Sequence, residues 1–465
     1  MEIQGENHEN KVGILAHWWC WLKDFPNRAV AKFVQFASLT KKIGQEDPRR
    51  VIHSLKVGFA LTLVSLFYYF KPLYKNFGVS AMWAVLTVVV VFEFSVGATI
   101  GKGINRGLAT LLAGALGIGA HHLASMTGNV GEPLLIGTFV FLQAVVSTFI
   151  RFFPRVKARY DYGLMVFILT FCLVSISGFR MDEILVLAHR RLSTVLIGGC
   201  TCVMVSIFVF PVWSGEDLHN LIADHIEKLE NCIEGFGEEF FLTSELKNDK
   251  AVPVTYRTVS NSKSTEETLA NFARWEPGHG KFMYFHPWKQ YLKIGNLTRQ
   301  CARRIEALNC YLNSEIRIPR GIREKFRDPC TNMCKESGQA LKELSLAIRK
   351  MTMPSSPSDH VMNSKMAAQN LKSLLTSDSW EKDTNLLQVM PLAAIASLLI
   401  EVVLSVEEIA ESVNELASMA NFSSSLDKNN VPNTTEEFSG GERKCKENQM
   451  SGCLDHVIIP VCGLK

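Results

Sequence analysis

The chain lacks a strong charge of either sign. Its 49 Lys+Arg against 45 Asp+Glu leave a formal net charge of +4, too little to drive binding to a polyanion such as nucleic acid. It lacks a zinc pattern. The 12 cysteines are scattered, and the close pairs Cys200/Cys202 and Cys330/Cys334 make neither a Cys₂His₂ nor a Cys₄ set. It lacks a phosphate loop. The run from Gly97 to Gly101-Lys102-Gly103 is one residue short, has no strand before it and no Ser or Thr after the lysine to hold magnesium. It lacks the alternation of a half-buried strand, and it has no nucleophile–base or metal set. These absences exclude the common enzyme classes and call for no cofactor. The polar start Glu2–Asn10 and the short, Trp-rich apolar run after it do not read as a cleavable signal peptide.

Long apolar runs are nearly absent from the second half of the chain and crowd the first. They cover 57–70, 79–96, 107–124, 133–150, 162–179 and 192–213. About 18–20 residues at about 1.5 Å rise cross a hydrocarbon core. The reading is an all-α polytopic membrane protein with six spans. Basic residues set its orientation. Lys41, Lys42, Arg49, Arg50, then Lys102 and Arg106, then Arg151, Arg155, Lys157 and Arg159 fall on one side. They outnumber Lys71, Lys75, Arg180, Arg190 and Arg191 on the other. The excess belongs in the cytoplasm, with both termini. Lys102 and Arg106 are read here as lying at the inner mouth of the third span, in the loop before it.

The organisation expected is fourfold. Residues 1–50 are a cytoplasmic segment. Its run 12–22 is either an interfacial helix with tryptophans at headgroup level or a helix packed on the soluble half. Residues 51–213 are the membrane domain, 214–419 a cytoplasmic helical domain, and 420–465 a polar, disordered tail. Its start carries one of two glycosylation sequons, Asn421 and Asn433, which a cytoplasmic tail leaves unmodified. Ser214 with Asp217 resembles a capping box. After it Leu218, Leu221, Ile222, Ile226, Leu229, Ile233, Phe236 and Phe240 share a helical face. Helices are also predicted over 287–313, 328–352 and 360–377, and loops over 242–263 and 353–359. Leu392, Ile395, Leu399, Val402, Val406, Ile409, Val413 and Leu416 make a heptad seam. That seam either closes the domain's own bundle or pairs two subunits. It continues into Glu407, Glu408 and Glu411, which argues against a seventh span.

The positive chemical signal is cationic side chains at span ends. A small anion entering a pore loses hydration, and fixed cations in a low dielectric offset that loss. Lys56 sits at the start of span one, Arg106 at span three, Lys157 and Arg159 before span five, Arg180 after it, and Arg191 at the start of span six. Taken singly, each is explained as a topology signal or a lipid contact. At both mouths together they outline an anion path. Glu93 near the inner end of span two would repel an anion if bare. It is expected to pair with a base or backbone donor and act structurally. Glycines in span three and Gly198-Gly199 read as helix packing.

Several runs resemble one family. They are Glu46-Asp47-Pro48-Arg49-Arg50 with His53 and Lys56-Val-Gly58, then Met82-Trp83-Ala84-Val85, and Phe92-Glu93-Phe94-Ser95-Val96-Gly97-Ala98-Thr99. Gly103-Ile-Asn-Arg106-Gly107, Tyr160-Asp161-Tyr162-Gly163, Ser177-Gly178-Phe179-Arg180 and Trp275-Glu276-Pro277-Gly278-His279-Gly280 follow in order. Over roughly residues 40–420 the chain is similar to the plant aluminium-activated malate transporters. The resemblance implies a homodimeric, passive channel for malate and inorganic anions in the plasma or vacuolar membrane, in contact with lipid. It assigns the pore to Lys56, Arg106, Arg180 and Arg191, with Lys157 and Arg159 beside them. Trp275, Glu276 and Pro277 become structural or gating contacts. Asp182 and Glu183 offer oxygen to a hard cation, or simply solvate the surface. A coupled carrier of organic acids and a membrane-anchored scaffold are the alternatives. No internal repeat supports the carrier.

Overall fold

A computed structural model of the chain describes residues 32, 34–69, 82–178, 184–242, 255–312, 320–354, 359–376 and 386–423. The 12–22 run, Arg180, Asp182, Glu183 and the tail from residue 424 lie outside them. Regular structure among the described residues is helical, apart from two isolated bridges. After a helical stretch at 34–46 come α1 (Pro48–Tyr69), α2 (Met82–Val91), α3 (Val96–Ser125), α4 (Gly128–Ile150), α5 (Pro154–Gly178) and α6 (Ile184–Phe208).

Four of these, α3 to α6, are long and apolar enough to cross a membrane. The chain is therefore an integral, multi-pass protein. The first two predicted spans are helices with different bounds. In α1 the basic residues Arg49, Arg50 and Lys56 occupy the first turns. The apolar remainder from Val57 to Tyr69 reaches only about 20 Å at 1.5 Å per residue. Within the described residues α2 has 10 residues.

The break after α2 corrects the expected loop. The chain leaves helix at Phe92–Ser95, and Val96 already begins α3, a helix of 30 residues. Lys102 and Arg106 therefore lie inside a continuous helix. Ser95 starts it early: its backbone is extended, and its Oγ accepts from Ala98 N–H at 3.3 Å. Thr99 Oγ1 closes the break, donating to the Glu93 carbonyl at 3.2 Å while taking the Glu93 N–H at 3.1 Å. Packing pairs α3 with α5 and α6, α2 with α1 and α6, and α4 with α3 and α5. Gly117 meets Val174 and Gly198 meets the Ala84 carbonyl, but Gly107 and Gly119 face open space. Only part of the glycine pattern is thus used for packing within the chain.

The second half comprises α7 (Ser214–Gly237, followed by a π-turn at Glu238–Leu242), α8 (Tyr256–Ser260), α9 (Lys263–Ala273), α10 (Trp288–Leu312), α11 (Arg320–Lys350), α12 (Asp359–Thr376) and α13 (Leu386–Met419). α8 and the start of α9 replace part of the loop expected over 242–263. Ser214 is not the cap of α7. It lies within the helix, its hydroxyl donates to Ser95 Oγ at 2.6 Å, and no side chain at Trp213 caps the end. The apolar face of α7 packs on α11 and α10. Every residue of the heptad seam is buried in the chain's own core, from 0% exposure at Leu392 to 2% at Leu399. The seam closes this bundle on α10, α11 and α12.

Two polar clusters inside this core are paired, as burial favours. Glu266 is fully buried, salt-bridged to Arg299 and bonded by Ser262 Oγ at 2.6 Å. His219 Nδ1 lies 2.8 Å and His286 Nε2 3.2 Å from the Tyr291 hydroxyl. Burial lowers both imidazoles from 6.5 to about 4.

Two outcomes follow for stability. Leu399→Ala opens a cavity in a seam wholly internal to the chain, so it costs about 2–5 kcal/mol. The same variant leaves the oligomeric state of the purified protein unchanged by light scattering. For the histidines, a folded value below the ordinary one stabilises the protein above pH 6.5 and fades as pH falls toward 4. The melting temperature should drop across that window, with an upper bound of about 3 kcal/mol per histidine. His219→Gln should flatten the drop.

Candidate functional site

Inside the membrane helices two arginines share a cleft. Arg106 of α3 is 7% exposed and Arg191 of α6 is half-buried. The lining is Trp83 of α2, Thr110 of α3, Val166, Leu169 and Thr170 of α5, and Val195 of α6. Arg106 donates to the Tyr162 hydroxyl at 2.8 Å. The Arg191 guanidinium lies over the Trp83 ring, 4.0 Å from its centroid, a cation–π contact that holds a cation without neutralising it. The Nε of each arginine is buried without a hydrogen-bond partner. No carboxylate lines the cleft among the described residues. Two like charges, both with donors to spare, face a space of about 20 Å³. That is room for about one water and less than a dicarboxylate needs.

From Arg106 a polar chain runs to the break between α2 and α3. Lys102, one turn earlier, lies 5.7 Å from the centroid of the Tyr162 ring and forms an ion pair with Glu93. Glu93 thus carries a counter-charge close by. His53 packs against Phe92 and Phe94 at 5.8 and 5.5 Å. This places Lys56, one turn further along α1 and 2% exposed, beside the same break. Lys157 and Arg159 are not gathered in: both side chains are exposed on the first turns of α5. Nearby, Arg151 and Asp161 form a two-pronged ion pair at 2.7 and 3.2 Å.

Sequence reasoning passed over Trp83, Tyr162, Thr110 and Thr170. Trp83 and Tyr162 stood in quoted runs, but aromatic residues in spans read by default as packing. Their contact with specific arginines is a tertiary fact. The threonines carry no signal, because a hydroxyl in a span bonds its own helix as easily as a ligand.

At the lower end of α3 lies the Trp275-Glu276-Pro277 run, just after α9. The Glu276 carboxylate accepts from Ser214 N–H at 2.6 Å and Gly215 N–H at 3.0 Å. It caps α7 from outside, where the local helix sequence does not. Burial pushes its pKa up, and these two N–H bonds pull it back in part. Two glycines of α3 receive the same segment. A Cβ on Gly97 would stand 2.3 Å from the Phe272 carbonyl oxygen, and one on Gly101 3.0 Å from the Trp275 indole. So the glycines of the false phosphate loop serve close approach. Val96 N–H donates to the Val212 carbonyl at 2.9 Å. The Trp213 ring stacks on His279 at 3.8 Å, and His279 Nδ1 is 2.9 Å from the Pro277 carbonyl. The start of α3, the end of the α6–α7 linker and the 275–279 segment make one junction.

Residues 41–381 match the family described as "Aluminium activated malate transporter". The chain is 53% identical over 424 residues to aluminum-activated malate transporter 2 of Arabidopsis thaliana, covering 90% of this chain and 83% of that protein. It is 45% identical over 410 residues to aluminum-activated malate transporter 1 of Triticum aestivum, covering 85% and 88%. It is 39% identical over 469 residues to aluminum-activated malate transporter 10 of Arabidopsis thaliana, covering 92% and 94%. A match over most of the chain and identities of this size, on four membrane-crossing helices, settle its kinship: the chain belongs to the aluminium-activated malate transporter family, transporters and not enzymes.

Proposed function

We propose that the chain is a passive anion channel that conducts malate and inorganic anions through the cleft of Arg106 and Arg191. The observation that carries the reading is the pair of guanidinium groups with buried, unpartnered Nε atoms and, among the described residues, no carboxylate beside them. At an effective dielectric of 20, two unit charges 4 Å apart interact by about 4 kcal/mol. An anion at the cleft offsets the arginines' mutual repulsion and takes up their idle donors. Thr110 and Thr170 add hydroxyls. The paired Glu93 leaves the cargo little to oppose it. Lys56, Arg180, Lys157 and Arg159 extend the path toward its mouths in this reading.

The same reading completes six spans with α1 and α2. It puts the α3 junction and both termini on the cytoplasmic side of a plasma or vacuolar membrane. The basic α4–α5 turn supports this, since antiparallel spans bring it to the end where α3 begins. Residues 214–419 form the cytoplasmic domain, and two chains form the working homodimer. A space of about 20 Å³ in one chain fits a path that opens by movement or is enlarged beside a second copy. Trp275, Glu276 and Pro277 act in gating, because Trp275 and Glu276 meet the first turns of the helix that carries Arg106.

Three experiments bear on this. With malate on one side of a membrane and chloride on the other, the reversal potential should follow the two anion gradients. A current that needs a coupled ion would overturn the channel reading. Arg106→Ala and Arg191→Ala, measured in protein that reaches the membrane, should each lower malate current by about tenfold or more. Unchanged currents in both would sink the assignment. Glu276→Ala strips two N–H groups of their acceptor, costing about 1–3 kcal/mol. It should shift the voltage dependence of the current while leaving the malate-to-chloride permeability ratio as it was. A changed ratio with unshifted gating would move Glu276 from the gate to the pore.

A further inference from the structure

Beside the junction a tight turn carries three consecutive apolar side chains into the open. His279 and Phe282 exchange backbone hydrogen bonds at 3.0 and 2.9 Å, and His286 N–H donates to the Met283 carbonyl at 3.2 Å. The stem is rigid. Phe282 sits among the rings of His219, His279, His286 and Trp288 at 5.2–5.7 Å. Among the described residues nothing buries the tip. Met283, Tyr284 and Phe285 are 59%, 70% and 93% exposed, and the Tyr284 and Phe285 rings meet edge to face at 5.2 Å. Phe285 also has φ of 64°, a left-handed backbone that a residue with a Cβ rarely adopts. Such strain persists where the surroundings impose it and where the site has work to do.

The tip's place in the fold points to its occupant. α6 ends at Phe208, and Trp213, a few residues on, stacks on His279 at the base of the turn. Phe208, the last residue of α6, and Phe210, in the linker, are 72% and 71% exposed. The exposed aromatics therefore continue outward from the end of a membrane span. Lys281 and Lys289 flank the tip and are exposed. Aromatic side chains with neighbouring lysines favour the boundary between headgroups and acyl chains, above all where the lipid is anionic.

We propose that Met283, Tyr284 and Phe285 form a lipid-surface contact, seated in the headgroup–acyl boundary of the leaflet at which α6 ends. The contact ties the second half of the chain to the bilayer independently of the covalent link through residues 209–213. It rests on α3 to α6 crossing the membrane and on nothing about what the cleft conducts.

The test is photo-crosslinking of the full chain in nanodiscs of phosphatidylcholine and phosphatidylserine. A p-benzoylphenylalanine replaces Phe285 in one sample and Tyr284 in a second. The same probe at Phe141, 67% exposed in α4, marks a lipid-facing position. At Leu404, 51% exposed, it marks a position remote from the tip. Leu404 adjoins Ser405, which bonds Arg304, and Arg304 lies about 24 Å along α10 from Trp288. The expected result is a mass increase of one phospholipid at positions 285, 284 and 141, and none at 404. An adduct at 285 and 284 of twice the chain mass would overturn the proposal in favour of a face between two copies. So would unmodified protein at both positions while 141 gives its lipid adduct, which would place the tip in water. If 141 fails as well, the membrane placement of the spans falls and the proposal with it.

Discussion

The Glu276 carboxylate holds the two halves of this chain in register. A helix that starts in a buried place leaves N–H groups without partners, and α7 starts where its own sequence supplies no cap. The missing acceptor comes from a residue some sixty positions later. That debt of hydrogen bonding forces the segment after α9 to return to the end of α6. Once there it meets α3, whose Gly97 and Gly101 leave space for the Phe272 carbonyl and the Trp275 indole. The orientation of the second half against the membrane helices follows from this one demand.

A second constraint acts higher up. Arginine in an apolar bundle is costly, and the chain meets the cost in two ways. Lys102 is neutralised locally by Glu93. Among the described residues Arg106 and Arg191 are held by neutral groups, a phenol hydroxyl and an indole face. Charges that are stabilised but not cancelled remain able to attract. The contrast within one helix, one turn apart, separates a cation paired with a carboxylate from one held by a phenol hydroxyl.

Much of the architecture was legible because the signals were local. Helix periodicity marked α7, α10 and α12 to within a few residues. The spacing from Leu392 to Leu416 announced a seam, but spacing alone could not say whose surface it met. Burial answered that, since the seam packs on α10, α11 and α12 of the same chain. The break at 92–95 differs from the expected loop because an apolar run with a single carboxylate looks the same with or without a turn in it. The Ser95 cap that cuts it is one small side chain. Of the site, the cations were visible from composition and position. Their exposure was not: Lys157 and Arg159 have the same sequence character as Arg106, yet only Arg106 turns inward. Glu276 was visible only as part of a resembling run, because its acceptor role depends on two distant N–H groups.

The uninterrupted length of α3 gives it the mechanics of a drive shaft. Val96, at its lower end, is bonded to the linker that leads into α7, and Arg106 stands about 15 Å up the same rod. A hydrogen-bonded helix twists stiffly, so a few degrees of turning imposed on its first residues arrives at the guanidinium almost undiminished. Force applied in the second half need not cross a flexible connector to be felt in the cleft. The side chain that lines the cleft and the backbone that meets the junction are parts of a single rigid body.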